Sequence, residues 1–411
     1  MTLSSLPAAA AGRRNTIVFV INSLGPGGAE RVLENLLHAA PHQHWTCHLV
    51  LLDQETEWRS PPDFVQVHRL DCRMGLRASL SGLTEVLERI RPDLVVSFLV
   101  RANVAAIIAS GRVGAPCIIS ERAHLSTHLK GKYAGPRRWV AFAAPRLIYP
   151  RADQVIAVSE GVRSDLIRNF AISPKRVTSI ANPFDLERIA QLAMAEPEIA
   201  LPQEFMVSTG RLVGSKGFED LLEAYWQANP AIPLCILGEG PDRDRLEQRI
   251  ADLNLKGRVI LAGYVKNPFA VVGRASLFVS ASHCEGFPNA MAEAMALGRP
   301  VIATDCPSGP AEILEGVEST GTDDVYEARY GLLTPVGRPD ALAKAMSMMN
   351  DPDVRQRYST LARQRMEDFH IDRIADRYWQ TFANGLSLRG RRSDGRQARP
   401  SEPAHAEPGA P

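Results

Sequence analysis

Two acids and two cations in the second half of the 411-residue chain have the types and spacing to handle an anion. Arg211 and Lys216 fall in GRLVGSKGF, where an arginine offers a planar fork of donors and a lysine a compact charge, a pairing suited to a diphosphate. Glu285 and Glu293 fall in CEGFPNAMAEAMALG, one carboxylate before the turn Gly286-Phe287-Pro288 and the other after it. Charged surface residues without a role are common, so the pairs gain meaning only if the surrounding elements bring both to one mouth.

The elements do so. Leu277, Phe278 and Val279 predict a strand, the chain breaks at 285–288, and Asn289 to Leu297 predicts a helix that Gly298 stops. Pro288 suits a first helical turn because its missing N–H would be unpaired there anyway. A helix starting at this point aims free N–H groups and a positive dipole end at whatever lies above the loop, which favours an anion. Phe205 to Gly210 predicts the strand that delivers Arg211 and Lys216. Both motifs therefore sit at carboxyl ends of strands, where open α/β sheets bind ligands.

The first half repeats the grammar. Thr16 to Ile21 predicts a strand, Gly25-Pro26-Gly27-Gly28 a turn, and Ala29 to Ala39 an amphipathic helix. Further strands are expected at His48–Leu52, Val65–Leu70, Leu94–Phe98, Cys117–Ser120, Gln154–Val158 and Val177–Ile180, with helical stretches between them. This alternation predicts parallel sheets covered on both faces. Asp53 after the second strand raises a dinucleotide-binding reading, but Gly25, Gly27 and Gly28 do not fit G-x-G-x-x-G.

Length predicts two domains, each large enough for its own core. A net charge of +1 gives no reason to expect nucleic acid as a partner. Six scattered cysteines without a C-x-x-C pair point to neither a zinc site nor a disulfide framework, and a reduced, cytoplasmic setting is expected. The arginines of MTLSSLPAAAAGRRN follow its small apolar run, the reverse of a secretory signal. No apolar run reaches the roughly 18 residues of a membrane span.

The spacing of Glu285 and Glu293, with Gly286-Phe287-Pro288 between them, ALGRPVIATD behind, and the Arg211/Lys216 loop upstream, resembles the E-x7-E signature of retaining glycosyltransferases with the GT-B fold, family 4. The resemblance implies two Rossmann-like, doubly wound domains facing across a cleft. Residues 1–15 would be a flexible N-terminus, 16–200 the acceptor-side domain, 201–370 the nucleotide-sugar domain, 371–387 a closing helix docking back through Tyr378, Trp379 and Phe382, and 388–411 a disordered tail. A linker is expected from Glu187 to Pro202, rich in Ala, Glu and Pro.

The resemblance also implies roles. Arg211 and Lys216 would bind the donor diphosphate, Glu293 the ribose hydroxyls, and main-chain groups at Val265 the base. Gly286, Phe287, Pro288 and Asn289 would present the helix start to the donor, Gly28 would let the backbone approach from the other domain, and Glu285 would lie near the sugar. His124, in SERAH after the fifth strand, matches a histidine that contacts the donor sugar, although Ala123 stands where relatives commonly carry Asn. No cofactor and no metal ion are expected: Asp242 to Asp244 opens a helix, and Asp323-Asp324 lies in a polar loop.

The expected function is transfer of a hexosyl or N-acetylhexosaminyl unit from a nucleotide sugar, UDP-linked in this subgroup's pattern, to a glycan or polyprenyl-diphosphate-linked acceptor in cell-surface polysaccharide assembly. A sugar-nucleotide epimerase or a non-catalytic nucleotide-sugar-binding protein is the alternative. Residues 128–151, HLKGKYAGPRRWVAFAAPRLIYPR, interleave basic and aromatic side chains. They suit peripheral contact with an anionic membrane, at the inner face of the cytoplasmic membrane, or else an ordinary helix that buries Trp139, Phe142 and Leu147.

Overall fold

The computed structural model describes residues 14–388. The expectations for residues 1–13 and for the tail from 389 onward lie outside the described residues. Seven parallel strands form the first sheet: β1 (Asn15–Ile21), β2 (Trp45–Leu51), β3 (Gln66–Arg69), β4 (Leu94–Phe98), β5 (Cys117–Glu121), β6 (Gln154–Ala157) and β7 (Val177–Ser179). Their order is β3-β2-β1-β4-β5-β6-β7. The chain winds outward from β1 in one direction and from β4 in the other, leaving a crevice at their carboxyl ends.

The second sheet comprises β8 (Met206–Thr209), β9 (Leu234–Leu237), β10 (Val259–Gly263), β11 (Leu277–Ser280), β12 (Val301–Thr304), β13 (Tyr326–Ala328) and β14 (Gly331–Thr334). The order β10-β9-β8-β11-β12-β14-β13 repeats the same switch point, now between β8 and β11. This is the pair of doubly wound domains that the sequence implied. Only β13 departs, pairing antiparallel with β14 through a tight turn at Arg329-Tyr330. The sequence reading had no strand there, because three residues of an edge strand, two of them exposed, leave no alternating pattern to detect.

Strands such as β1, NTIVFVI, are buried on both faces from Ile17 onward, and the sheets' apolar residues divide among clusters on either side. The helix Ile371–Leu386 closes the first domain's core instead of the second's. Tyr378, Trp379 and Phe382 are fully buried against Ile17, Phe19, Leu94 and Ile118, and the Trp379 indole N–H donates to the Leu36 carbonyl at 3.2 Å. The segment expected as a linker starts as a helix, Leu186–Ala193. Asp185 caps it, accepting from the Arg188 N–H at 2.8 Å, and Ile189 is buried, so the Ala and Glu read as linker composition act here as helix formers.

Candidate active site

The loops after β1, β5, β8, β11 and β12 meet where the two sheets face each other. A cavity of about 740 Å³ runs along this line, with Gly27, Glu30 and Arg31 on one wall and Thr209, Arg211, Val265, Asn289 and Glu293 on the other. Arg211, Val265, Asn289 and Glu293 are thus brought together as expected. Arg211 is exposed and has no ion pair among the described residues, so its guanidinium is available to a ligand.

Lys216, Glu285 and His124 form a second group, outside the lining of that cavity. Lys216 Nζ lies 2.6 Å from Glu285 Oε1. Burial alone would lower the lysine's pKa, but the adjacent Glu285 raises it, so the ammonium stays charged. The Glu285 carbonyl accepts from Ser308 Oγ at 2.7 Å and from the His124 backbone N–H at 3.4 Å. His124 Nδ1 lies 2.9 Å from Thr127 Oγ1 and 3.9 Å from Asp165 Oδ2. Burial lowers the pKa of this histidine and Asp165 opposes the shift only in part, which favours a neutral ring at neutral pH.

The approach of the domains explains two glycines. A Cβ on Gly286 would run into the Arg122 carbonyl of the opposite domain, and one on Gly28 would press on the Asn289 amide at 2.5 Å. Asn289, at the start of helix Asn289–Ala296, also accepts from the Asn182 amide, and Asn182 accepts from Arg122. Arg122 donates onward to the Tyr378 hydroxyl at 2.8 Å, so a polar relay runs from the closing helix to the helix start in the cleft. Phe287 lies differently from Asn289. Its ring packs between Phe184 and Phe369 at centroid distances of 6.2 and 5.4 Å, outside the lining of the cavity. Pro288 caps the same helix start and borders Gly309.

Three sets of contacts went unread in the sequence. Arg31 pairs with Glu293 across the cleft. Trp58 and Tyr264, from opposite domains, meet at 4.8 Å beside the cavity. Glu121, fully buried, accepts from the Tyr149 hydroxyl at 2.8 Å and from the backbone N–H groups of Arg122 and Ala123 at 3.0 and 3.3 Å. Burial pushes its carboxyl up to about 7. Arg31 lies one helical turn from Gly28 on the same face, but nothing local in the sequence names its partner. Asp53, the acid behind the dinucleotide reading, is instead paired with Arg101 and holds the Met74 N–H at 3.0 Å.

The profile described as Glycosyltransferase Family 4 matches residues 26–188, and that described as Glycosyl transferases group 1 matches residues 191–365. The chain is 31% identical over 368 residues, 86% of its length and 96% of the relative's, to the N-acetylgalactosamine-N,N'-diacetylbacillosaminyl-diphospho-undecaprenol 4-alpha-N-acetylgalactosaminyltransferase of Campylobacter jejuni. The chain belongs to the family 4 glycosyltransferases. This glycosyltransferase is also 26% identical to the lipopolysaccharide 1,6-galactosyltransferase of Escherichia coli over 71% of its own length and 79% of that enzyme's. HepE of Anabaena, crystallised with UDP, shares its GT-B fold with a TM-score of 0.67 at 22% identity, covering 90% of this chain and all of that one. The glycosyltransferase has no helix long and apolar enough to cross a membrane among the described residues.

Proposed function

We propose that the enzyme moves a hexosyl or N-acetylhexosaminyl unit, with retention and without a metal ion, from a UDP-sugar to a glycan or polyprenyl-diphosphate-linked acceptor in cell-surface polysaccharide assembly. The observation that carries this reading is the placement of Arg211 and Lys216 on one loop, with Lys216 held 2.6 Å from Glu285 and Arg211 on the wall that also bears Glu293. Relatives named for lipid-linked and lipopolysaccharide acceptors, and a structural neighbour holding UDP, support the substrate classes.

As the bond from the anomeric carbon to the diphosphate lengthens, negative charge grows on the leaving phosphate. Lys216, held by Glu285, and the N–H groups opening helix Asn289–Ala296 are fixed in advance to meet it, and the exposed Arg211 guanidinium closes on it. Glu285 lies beside the sugar and stabilises the developing positive ring. His124 contacts the sugar hydroxyls, Val265 presents its main chain to the base, and Glu293 holds the ribose. The acceptor oxygen attacks the same face that the phosphate leaves, and the departing phosphate oxygen takes its proton.

A peripheral membrane position on the inner face of the cytoplasmic membrane fits a lipid-linked acceptor. Trp139 and Leu147 on helix Gly135–Ile148 are 79% and 68% exposed, beside exposed Arg137 and Arg138. Rings and cations exposed together on one helix are what a surface resting on anionic headgroups needs.

Calorimetry of UDP-, GDP- and ADP-sugars tests the donor reading. Replacing both Arg211 and Lys216 with Ala should lower UDP-sugar affinity at least about 100-fold, two charge-assisted contacts together, in a variant that still unfolds cooperatively but at a lower melting temperature, because Glu285 loses its partner. Unchanged affinity in a folded variant removes the proposed clamp.

A further inference from the structure

Arg31 of the acceptor-side domain reaches across the cleft to Glu293. Its Nη1 pairs with Glu293 Oε1, and its guanidinium lies over the Phe269 ring at 5.2 Å from the centroid. The pair is half enclosed, with the Arg31 side chain 28% and the Glu293 side chain 10% exposed, and both residues line the cavity. The arginine bonds one carboxylate oxygen. Glu293 Oε2 has no hydrogen bond among the described residues.

We infer that Arg31 is a positioning residue for donor binding: it fixes one oxygen of Glu293 so that the other is presented to the ribose hydroxyls. This rests on the reading of Glu293 as the ribose ligand. A carboxylate so little exposed needs a charged partner to hold it in one orientation, and Arg31, its guanidinium lying over the Phe269 ring, supplies it. Because the two residues belong to different domains, the ribose site is complete only when the cleft is closed. Donor binding then favours closure, since the nucleotide binds the arrangement in which Arg31 and Glu293 touch.

Titration calorimetry of the full chain with UDP and with uridine, which lacks phosphate, tests this. Arg31→Gln should weaken both ligands by the same factor, about tenfold for the loss of one charge-assisted contact. Arg31→Lys should restore part of the affinity. Glu293→Gln should weaken both ligands, and the double variant should bind no more weakly than Glu293→Gln alone. Tighter or unchanged binding by Arg31→Gln overturns the inference, as does a loss confined to UDP or one that adds in full to that of Glu293→Gln, because Arg31 would then act on the phosphates. Should Arg31→Gln not fold, Arg31→Met, which keeps packing on Phe269, takes its place with the same expected outcomes. The two readings fail separately. Unchanged binding by Glu293→Gln removes the ribose role itself, whereas weakened Glu293→Gln beside unchanged Arg31→Gln removes only the positioning role.

Discussion

Two helices on the acceptor-side domain carry the same kinds of side chain and treat them in opposite ways. Ile371–Leu386 buries Tyr378, Trp379 and Phe382 completely, with Phe19 meeting both Trp379 and Phe382 edge-on at 5.9 and 5.8 Å. Gly135–Ile148 keeps Trp139, Val140 and Leu147 in solvent and secures itself through buried Pro145 and through Phe142, stacked on Phe170 at 5.7 Å. The alternative in which this helix buries Trp139 and Leu147 is thus contradicted, and only Phe142 behaves as it required. The difference lies in what faces each helix. Ile371–Leu386 lies over β1, β4 and β5, whose outer face would otherwise be bare, while Gly135–Ile148 has protein on one side only. Apolar residues on the first helix stabilise the fold, whereas Trp139, Val140 and Leu147 on the second are left out of it.

The widest separation of the two comes from truncating one indole in each. Trp379→Ala should cost about 3–5 kcal/mol, the range for deleting a large buried aromatic. Trp139→Ala should change stability by less than about 0.5 kcal/mol, as exposed sites do. Urea unfolding of the two variants measures this. Equal losses would mean that Trp139 is packed and would end the comparison.

The contrast also explains what sequence reasoning can and cannot reach. The docking of Tyr378, Trp379 and Phe382 was legible as what the resemblance implies, a closing helix that crosses back to the first domain. For residues 128–151 the same reasoning left two outcomes open, since burial depends on a neighbour that local pattern does not name. Arg211, Lys216, Glu285 and Glu293 were legible as candidates because they sit in short motifs at strand ends. Arg31 was not, because its partner is 262 residues away and only the closing of two domains brings them together. Glu121 was read as part of a loop motif, and its burial is a property of Tyr149 and Asn103 packing behind it.

Glu121 links the exposed helix to the cleft. The chain leaves Gly135–Ile148 directly into Tyr149, whose hydroxyl donates to Glu121, and Glu121 in turn holds the backbone of Arg122 and Ala123 beneath Gly286. Its folded pKa of about 7 exceeds the ordinary 4.5, so the folded protein holds this proton more tightly than the unfolded chain. Stability from this group is therefore full below about 4.5, falls as pH rises, and levels off above about 7. The fall is on the order of 3 kcal/mol for a shift of this size. In Glu121→Gln that part of the slope should vanish, while Trp379→Ala, lowered throughout, should keep it. Unfolding free energies measured from pH 4 to 8 decide the matter, and an unchanged slope in Glu121→Gln would place the titration elsewhere.

The smallest effect concerns what covers the exposed helix. Each basic residue near an anionic surface contributes about 1 kcal/mol, so reversing Arg137 and Arg138 to Glu removes at least about 2 kcal/mol of attraction, close to thirtyfold in partitioning. Sedimentation with vesicles rich in anionic lipid should show that loss in Arg137→Glu/Arg138→Glu, a weaker one in Trp139→Ala, and none in an equal charge change on the second domain at Arg245 and Arg338, both exposed cations. All three variants should melt with the parent protein, because none touches the core that Ile371–Leu386 completes. If the Arg245/Arg338 variant lost vesicle binding as strongly, attraction would follow net charge alone, and the exposed ring and cations of Gly135–Ile148 would have no special place on the membrane.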